Sequence, residues 1–251
     1  MKIIRFCHKK KEHWGVLKGE EVCVLKEPPF KRVIKTKQKL SSKDIKLLAP
    51  SLPSKIVLVG LNYRDHAEEM SMQIPDEPII FLKPPTAVLA PQAAVIYPKG
   101  VTRLDYEAEL ALVIKKTARH IKESEVSRYI LGFTCLNDVT ARDLQKKDGQ
   151  WTRAKSFDTF CPVGPWIETK FDPENVAIRT FVNGEKRQDS TTGQFIFKVP
   201  YLVSFISSIM TLYEGDIIST GTPKGVGPMN VGDTVQIGIE GIGVLENRII
   251  A

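Results

Sequence analysis

The segment Leu104-Asp-Tyr-Glu-Ala-Glu-Leu-Ala-Leu-Val-Ile114 constrains this chain more than any other stretch. Its residues alternate as a β-strand requires: Tyr106, Ala108, Leu110, Leu112 and Ile114 share one face, and Glu107 and Glu109 share the other. Two like charges on one face of a strand rich in Ala, Leu and Val repel each other. Solvent, a basic partner or a bound cation relieves the repulsion, and each remedy implies a different protein.

The β theme continues around this strand. Apolar runs over 129–136, 176–182, 216–219, 234–239 and 243–250 are separated in many places by glycine turns, and Ile56-Val-Leu-Val59 and Ile79-Ile-Phe-Leu82 read as two earlier strands. Helical patterns are few. One starts at Asn62, where Asp65 three residues before Glu68 has the form of a capping box, and others cover 124–129, 139–147 and 202–212. Irregularly spaced strands with few helices predict a β-rich α+β fold rather than a doubly wound sheet. Residues 1–27 read as a small hairpin unit. The lysine-rich stretch from Pro28 to Lys46 reads as a linker or weak helix, and Ala49-Pro-Ser-Leu-Pro53 marks a boundary. The expected organisation is a small N-terminal β-rich unit with its linker over 1–50, followed by the main domain over 51–251.

Composition narrows the function. With 42% hydrophobic and 26% charged residues among 251, the chain can bury a core and is not disordered. No apolar run reaches the ~20 residues of a membrane helix. The first residues place an apolar patch before the lysines, the reverse of a secretory signal, so a cytoplasmic chain is expected. The net charge of +7 is local. Residues 1–50 hold 14 Lys and Arg against 5 Asp and Glu, and the remainder holds 22 against 24. A lysine-rich surface explains this better than a nucleic-acid partner does. Cys7, Cys23, Cys135 and Cys161 form no C-x-x-C pair, so buried thiols are expected and a zinc site is not.

Four further features bear chemistry. Asp138 ends the apolar strand over 129–136 at a strand-to-helix junction. With Glu107 and Glu109 it makes an all-oxygen set, which suits Mg²⁺, Mn²⁺ or Ca²⁺. His66 and Glu69 lie three apart on the helix after Gly60 and share a face. They are either a surface ion pair or an imidazole whose tautomer and basicity a carboxylate sets. Lys155 sits beside Phe157 and Phe160 and needs an anion, either Asp158 or a ligand. Gly221-Thr-Pro-Lys-Gly-Val-Gly-Pro228 is neither a P-loop nor a dinucleotide fingerprint, and fits a tight active-site turn or a plain hairpin connection.

Five short motifs in order now carry a resemblance: Gly60-Leu-Asn-Tyr-Arg-Asp-His-Ala-Glu-Glu69, Asp105-Tyr-Glu-Ala-Glu-Leu-Ala-Leu-Val113, Asn137-Asp-Val-Thr-Ala-Arg-Asp-Leu-Gln145, Ala154-Lys-Ser-Phe-Asp-Thr159 and Gly215-Asp-Ile-Ile-Ser-Thr-Gly-Thr-Pro-Lys-Gly-Val-Gly227. From about Lys55 to Ile250 the chain resembles the fumarylacetoacetate hydrolase family, in its short, acylpyruvase-like branch. The resemblance implies a β-rich roll in a homodimer, with Glu107, Glu109 and Asp138 holding Mg²⁺ or Mn²⁺. It implies a catalytic dyad of His66 and Glu69 on a segment that orders over the substrate, and an active-site Lys155. It places Gln145 and Thr222 on the oxo acid and Thr159 near the metal.

The activity so implied is C–C bond hydrolysis of 2,4-dioxo acids through a metal-bound pyruvate enolate, with His66 activating water and Lys155 stabilising the enolate. The same enolate serves an oxaloacetate decarboxylase or tautomerase and a 2-hydroxyhepta-2,4-diene-1,7-dioate isomerase, which are the alternatives. A non-enzymatic β-rich binding protein is the alternative of another class. It need not keep His66, Glu69, Glu107, Glu109, Asp138 and Lys155 around one cavity. Met70, Met72 and Ile74 make the covering segment more apolar than a highly charged substrate needs.

Overall fold

The computed structural model describes all 251 residues, Met1–Ala251. Its organising element is the strand Ala108–Ile114, buried along its whole length. It pairs antiparallel with Ile130–Asn137 on one side and with Ile217–Ser219 on the other. Its alternation serves two cores. Ala108, Leu110, Leu112 and Ile114 join the larger apolar cluster, and Ala111 and Val113 join a second one on the opposite face. The face expected from the sequence is therefore the one observed, and Tyr106 belongs to it as well.

The sheet around this strand has 12 strands. From the centre it runs one way through Ile217–Ser219 and Ile56–Val59 to the edge strand Ile80–Lys83. The other way it passes through Ile130–Asn137 and Cys161–Glu168 into the N-terminal strands Lys2–His8, Lys11–Lys18, Glu21–Leu25 and Lys35–Ser41. A second sheet of five strands is ordered Glu185–Thr191, Ala177–Val182, Thr234–Ile239, Gly243–Ile250 and Ala94–Ile96. The large apolar cluster draws Leu110, Leu112 and Phe133 from the first sheet and Ile178, Ile237 and Leu245 from the second, so the two sheets close over one core. This is a β-rich α+β roll.

A small third sheet positions the site. Leu104–Tyr106 pairs with Thr140–Ala141 and with Gly227–Met229. The segment 104–114, expected as one strand, therefore breaks at Glu107, which joins the two sheets. The Glu107 N–H donates to the Asn137 side chain at 3.0 Å, and the Asp138 N–H donates back to the Glu107 carbonyl at 2.9 Å. These bonds replace the regular ladder and turn both carboxylates toward each other.

Two other expectations are corrected. The stretch from Pro28 to Lys46 is neither a linker nor an α-helix: Lys35–Ser41 is a β-strand followed by a single 3₁₀ turn at Ser42–Asp44, and lysines at the strand's exposed edge discourage further pairing. The capping box is not formed. The helix is Arg64–Glu69, Tyr63 is its N-cap without a side-chain cap bond, and the Asp65 carboxylate instead accepts from Ser190 Oγ at 2.6 Å. The Cys161–Glu168 strand, whose Pro162, Gly164 and Pro165 hide its pattern, lies between the N-terminal strands and the rest of the main sheet. All four cysteines are free. No helix is long and apolar enough to cross a membrane.

Candidate functional site

Glu107, Glu109 and Asp138 converge. One carboxylate oxygen from each lies within 4.8 Å of the others, and all three residues are buried. Glu109 and Asp138 come from adjacent strand ends and Glu107 from the break between sheets, so the main sheet and the small sheet together build the cluster. Expectation and structure agree on this grouping, and on all-oxygen donors.

The basic groups around the cluster are only partly those expected. Lys155, on the short helix Thr152–Lys155, donates to Glu107 Oε2 at 2.8 Å and to Asp138 Oδ2 at 2.5 Å. Its partners are thus two of the triad, not Asp158. Phe81 and Trp151 rings lie 5.0 and 6.0 Å from Nζ and wall off the remaining side. Two cations escaped the sequence reading. Arg142 donates to Glu107 Oε1 at 2.5 Å and to Asp105 Oδ2 at 2.9 Å. Lys83, wholly buried, places Nζ 2.7 Å from Asp138 Oδ1 while donating to the carbonyls of Val139 and Phe160. Arg142 lay inside the Asn137–Gln145 motif, and Lys83 ends an apolar strand before two prolines. Those positions were the available signals.

The electrostatics divide the carboxylates. Burial raises the Glu107 carboxyl, but Lys155 and Arg142 outweigh burial and hold it below the usual carboxylate range. Glu109 goes the other way. Burial, then the charge of Asp138, pushes it well above that range, against the stabilising bonds from Ser219 Oγ and the Gly221 N–H. For Lys155, burial acts downward, and Asp138 and Glu107 overcome it, so the ammonium is held above its ordinary value. Asp138 Oδ1 has no well-directed hydrogen bond of its own despite Lys83 beside it. Three buried carboxylates, one of them pushed above its usual range by burial and by Asp138, and one oxygen without a directed hydrogen bond, fit a hard divalent cation.

The glycine-rich turn runs beside the carboxylate cluster, bonding to both Glu109 and Glu69. At Gly221 (φ +88°) an added Cβ would sit 3.0 Å from Asn62 Cβ, and its N–H is the one that Glu109 receives. At Gly225 (φ +89°) an added Cβ would come within 2.6 Å of the Arg187 carbonyl, so only glycine fits. The Gly225 N–H donates to both oxygens of Glu69, at 3.0 and 3.2 Å. Glu69 Oε2 also lies 3.0 Å from His66 Nδ1. The Gly225 carbonyl receives the Tyr106 hydroxyl at 3.0 Å. The dyad helix therefore docks next to the residue that precedes Glu107.

Gln145 lies on the helix Arg142–Asp148 and accepts from Arg142 Nη1 at 2.6 Å, at the margin of the cluster. Thr222, almost wholly buried, accepts from Gln188 Nε2 at 3.0 Å. Thr159 is not tied to the carboxylates: its hydroxyl accepts from the Ile96 N–H at 3.0 Å. It touches the cluster only through its neighbour Phe160, whose carbonyl receives Lys83.

Comparison with known proteins matches the chain to a family. Residues 55–250 match the fumarylacetoacetate (FAA) hydrolase C-terminal family. The chain belongs to the fumarylacetoacetate hydrolase family. Residues 1–50 separately match the Rv2993c-like N-terminal family. Among members of the fumarylacetoacetate hydrolase family, the mitochondrial oxaloacetate tautomerase Fahd2a of Rattus norvegicus is 44% identical over 219 residues, 82% of this chain and 70% of the rat protein. Two solved structures cover all of this chain at 42% identity. The 5-carboxymethyl-2-hydroxymuconate delta-isomerase of Mycobacterium smegmatis superposes with a TM-score of 0.95 over 99% of its own chain. The 2-hydroxyhepta-2,4-diene-1,7-dioate isomerase of Mycobacterium marinum does so at 0.94 over 98%.

Proposed function

We propose that this protein is a divalent-metal-dependent tautomerase or isomerase that moves a proton on a small 2-oxo acid. The names of its relatives, an oxaloacetate tautomerase, a 5-carboxymethyl-2-hydroxymuconate delta-isomerase and a 2-hydroxyhepta-2,4-diene-1,7-dioate isomerase, favour this reading over the C–C hydrolase implied first. One observation carries it. Glu69 is held by the Gly225 N–H and faces His66 Nδ1, which leaves Nε2 as the ring nitrogen free to exchange a proton.

Glu107, Glu109 and Asp138 would hold Mg²⁺ or Mn²⁺, which supplies a Lewis-acidic centre for the 2-oxo oxygen and the adjacent carboxylate of the acid. Lys155 holds a proton against the low-dielectric wall of Phe81 and Trp151 and stabilises negative charge that develops on the substrate oxygen. His66 takes the proton from carbon through Nε2 and returns it at the neighbouring position, while Glu69 keeps the ring oriented. Thr222 and Gln145 bind the oxygens of the acid at the cluster margin.

The segment after the dyad helix supports a second reading. Met70, Met72 and Ile74 are each about half exposed, and an apolar acyl tail would suit them better than a second carboxylate. That favours hydrolysis of a 2,4-dioxo acid, with His66 activating water. The two readings separate in one assay. Enol oxaloacetate is mixed with Mg²⁺-loaded and EDTA-treated protein and its absorbance followed, in parallel with pyruvate release from a 2,4-dioxo acid. The tautomerase reading expects metal-dependent acceleration of enol decay. Enol decay at the buffer rate, with rapid pyruvate release from the dioxo acid, would replace it with the hydrolase.

A further inference from the structure

Gln188, on the strand Glu185–Thr191, is wholly buried, and every polar valence of its side chain is used. Its Oε1 accepts from the Ala108 N–H at 3.0 Å and from Thr180 Oγ1 at 2.7 Å. The backbone N–H of Ala108 can only donate, so the amide cannot be turned over without losing that bond. Nε2 must then face the glycine-rich turn. There it donates to the Pro223 carbonyl at 2.8 Å and to Thr222 Oγ1 at 3.0 Å, with the Lys224 carbonyl at 3.3 Å.

This fixes the polarity of Thr222. An amide N–H₂ has no acceptor to offer, so the Thr222 hydroxyl must accept from Gln188 and send its own hydrogen elsewhere. No protein group receives that hydrogen. Ala108 lies between Glu107 and Glu109, so the chain of bonds from Ala108 through Gln188 to Thr222 runs from the carboxylate strand to a hydroxyl with one free donor. The same turn presents the Gly225 N–H to Glu69, and Gly225 packs on the Gln188 backbone.

We infer that Gln188 is a positioning residue that makes the Thr222 hydroxyl an obligate donor to a carboxylate or enolate oxygen of the ligand. The inference rests on the functional reading above. It implies that the group bound at Thr222 is an anionic oxygen acceptor and not a hydroxyl or amine donor.

The test is oxalate binding to Mn²⁺-loaded protein by calorimetry, with Mn²⁺ affinity measured on every variant. Gln188→Glu keeps the size of the side chain but turns the donor into an acceptor, which captures the Thr222 hydrogen. Thr222→Val removes the hydroxyl, and Thr222→Ser keeps it. Gln188→Glu and Thr222→Val are each expected to weaken oxalate by about tenfold, the order of one charge-assisted hydrogen bond. The double variant is expected to lie within about twofold of either single one, because both remove the same donor. Thr222→Ser restores wild-type affinity, and Mn²⁺ affinity stays unchanged throughout. Independent losses that multiply to about a hundredfold, or a loss of Mn²⁺ affinity alongside oxalate, overturn the positioning role. A wild-type protein that binds Mn²⁺ but no oxalate overturns the functional reading and this inference with it. Tight wild-type binding with indifferent Gln188 variants overturns the inference alone.

Discussion

At the scale of single residues the site is a contest among buried charges. Lys155 Nζ binds one oxygen each of Glu107 and Asp138, two carboxylates that a cation would also use. Replacing one partner of a buried ion pair by an apolar group leaves the other uncompensated, at a cost of about 3–5 kcal/mol. Arg142 still serves Glu107, and Lys83 still lies beside Asp138. Lys155→Met should therefore fold with a lower melting temperature, and Mg²⁺ should raise that temperature further than it does for the wild type. Thermal melts with and without Mg²⁺ check this, and an equal or smaller shift in the variant would show that the cation does not share these oxygens. Glu109 adds a pH dependence. Burial and Asp138 raise its carboxyl in the fold, so its stabilising contribution is full below the ordinary carboxylate value and fades as pH climbs through the raised one. Cation binding needs that proton gone, so Mn²⁺ affinity should rise with pH over the same window, with proton release visible by calorimetry in two buffers. No proton release would contradict it. The three carboxylates were legible because alternation and a strand end exposed them. Lys83, Arg142 and Gln188 were not, because the site groups they serve, Asp138, Glu107, and Ala108 with Thr222, lie far away in the chain, where no local pattern reaches.

At the scale of elements the dyad helix is the least self-sufficient piece. Six residues without a side-chain cap do not hold a helix in water. Tertiary bonds hold this one: Asp65 to Ser190 Oγ, Arg64 to the Phe195 carbonyl at 2.7 Å, and Glu69 to the Gly225 N–H. Its amides should exchange faster than those of Ala108–Ile114, and Ser190→Ala should speed them further without changing exchange in that strand. Hydrogen exchange by mass spectrometry reads both, and equal protection of helix and strand would contradict the argument. The sequence pattern disclosed the helix. It concealed the strand Lys35–Ser41, because an edge strand protected by lysines resembles a solvated linker. It also missed the break at Glu107, because alternation continues across a residue that changes sheets. The pairing of Leu104–Tyr106 with Thr140–Ala141 and Gly227–Met229 reveals that change.

At the scale of the whole molecule the basic N-terminal strands and the roll are one sheet. Lys2 and Ile3 pair with Glu168 and Ile167, and the N-terminal ammonium meets the Glu168 carboxylate. Ile3 is fully buried in the smaller core with Ile56, Ala111 and Ile167, so the first strand fills space behind the strand that carries Glu109. The family match to residues 1–50 and the one to 55–250 meet at a chain boundary, but the hydrogen bonds and the core cross it. We therefore propose that residues 1–50 are a distinct sequence unit without an independent fold. Removing them would open the edge of Cys161–Glu168, expose unpaired N–H and C=O groups, and leave a cavity where Ile3 packs. A fragment of residues 51–251 should accumulate as insoluble or polydisperse protein and lose several degrees of melting temperature where it stays in solution. Co-expression with residues 1–50 should recover part of the loss, because the missing strands can pair in trans. Size-exclusion chromatography and thermal melts decide the matter. A monodisperse fragment that melts with the full chain would show that the N-terminal strands only decorate the roll.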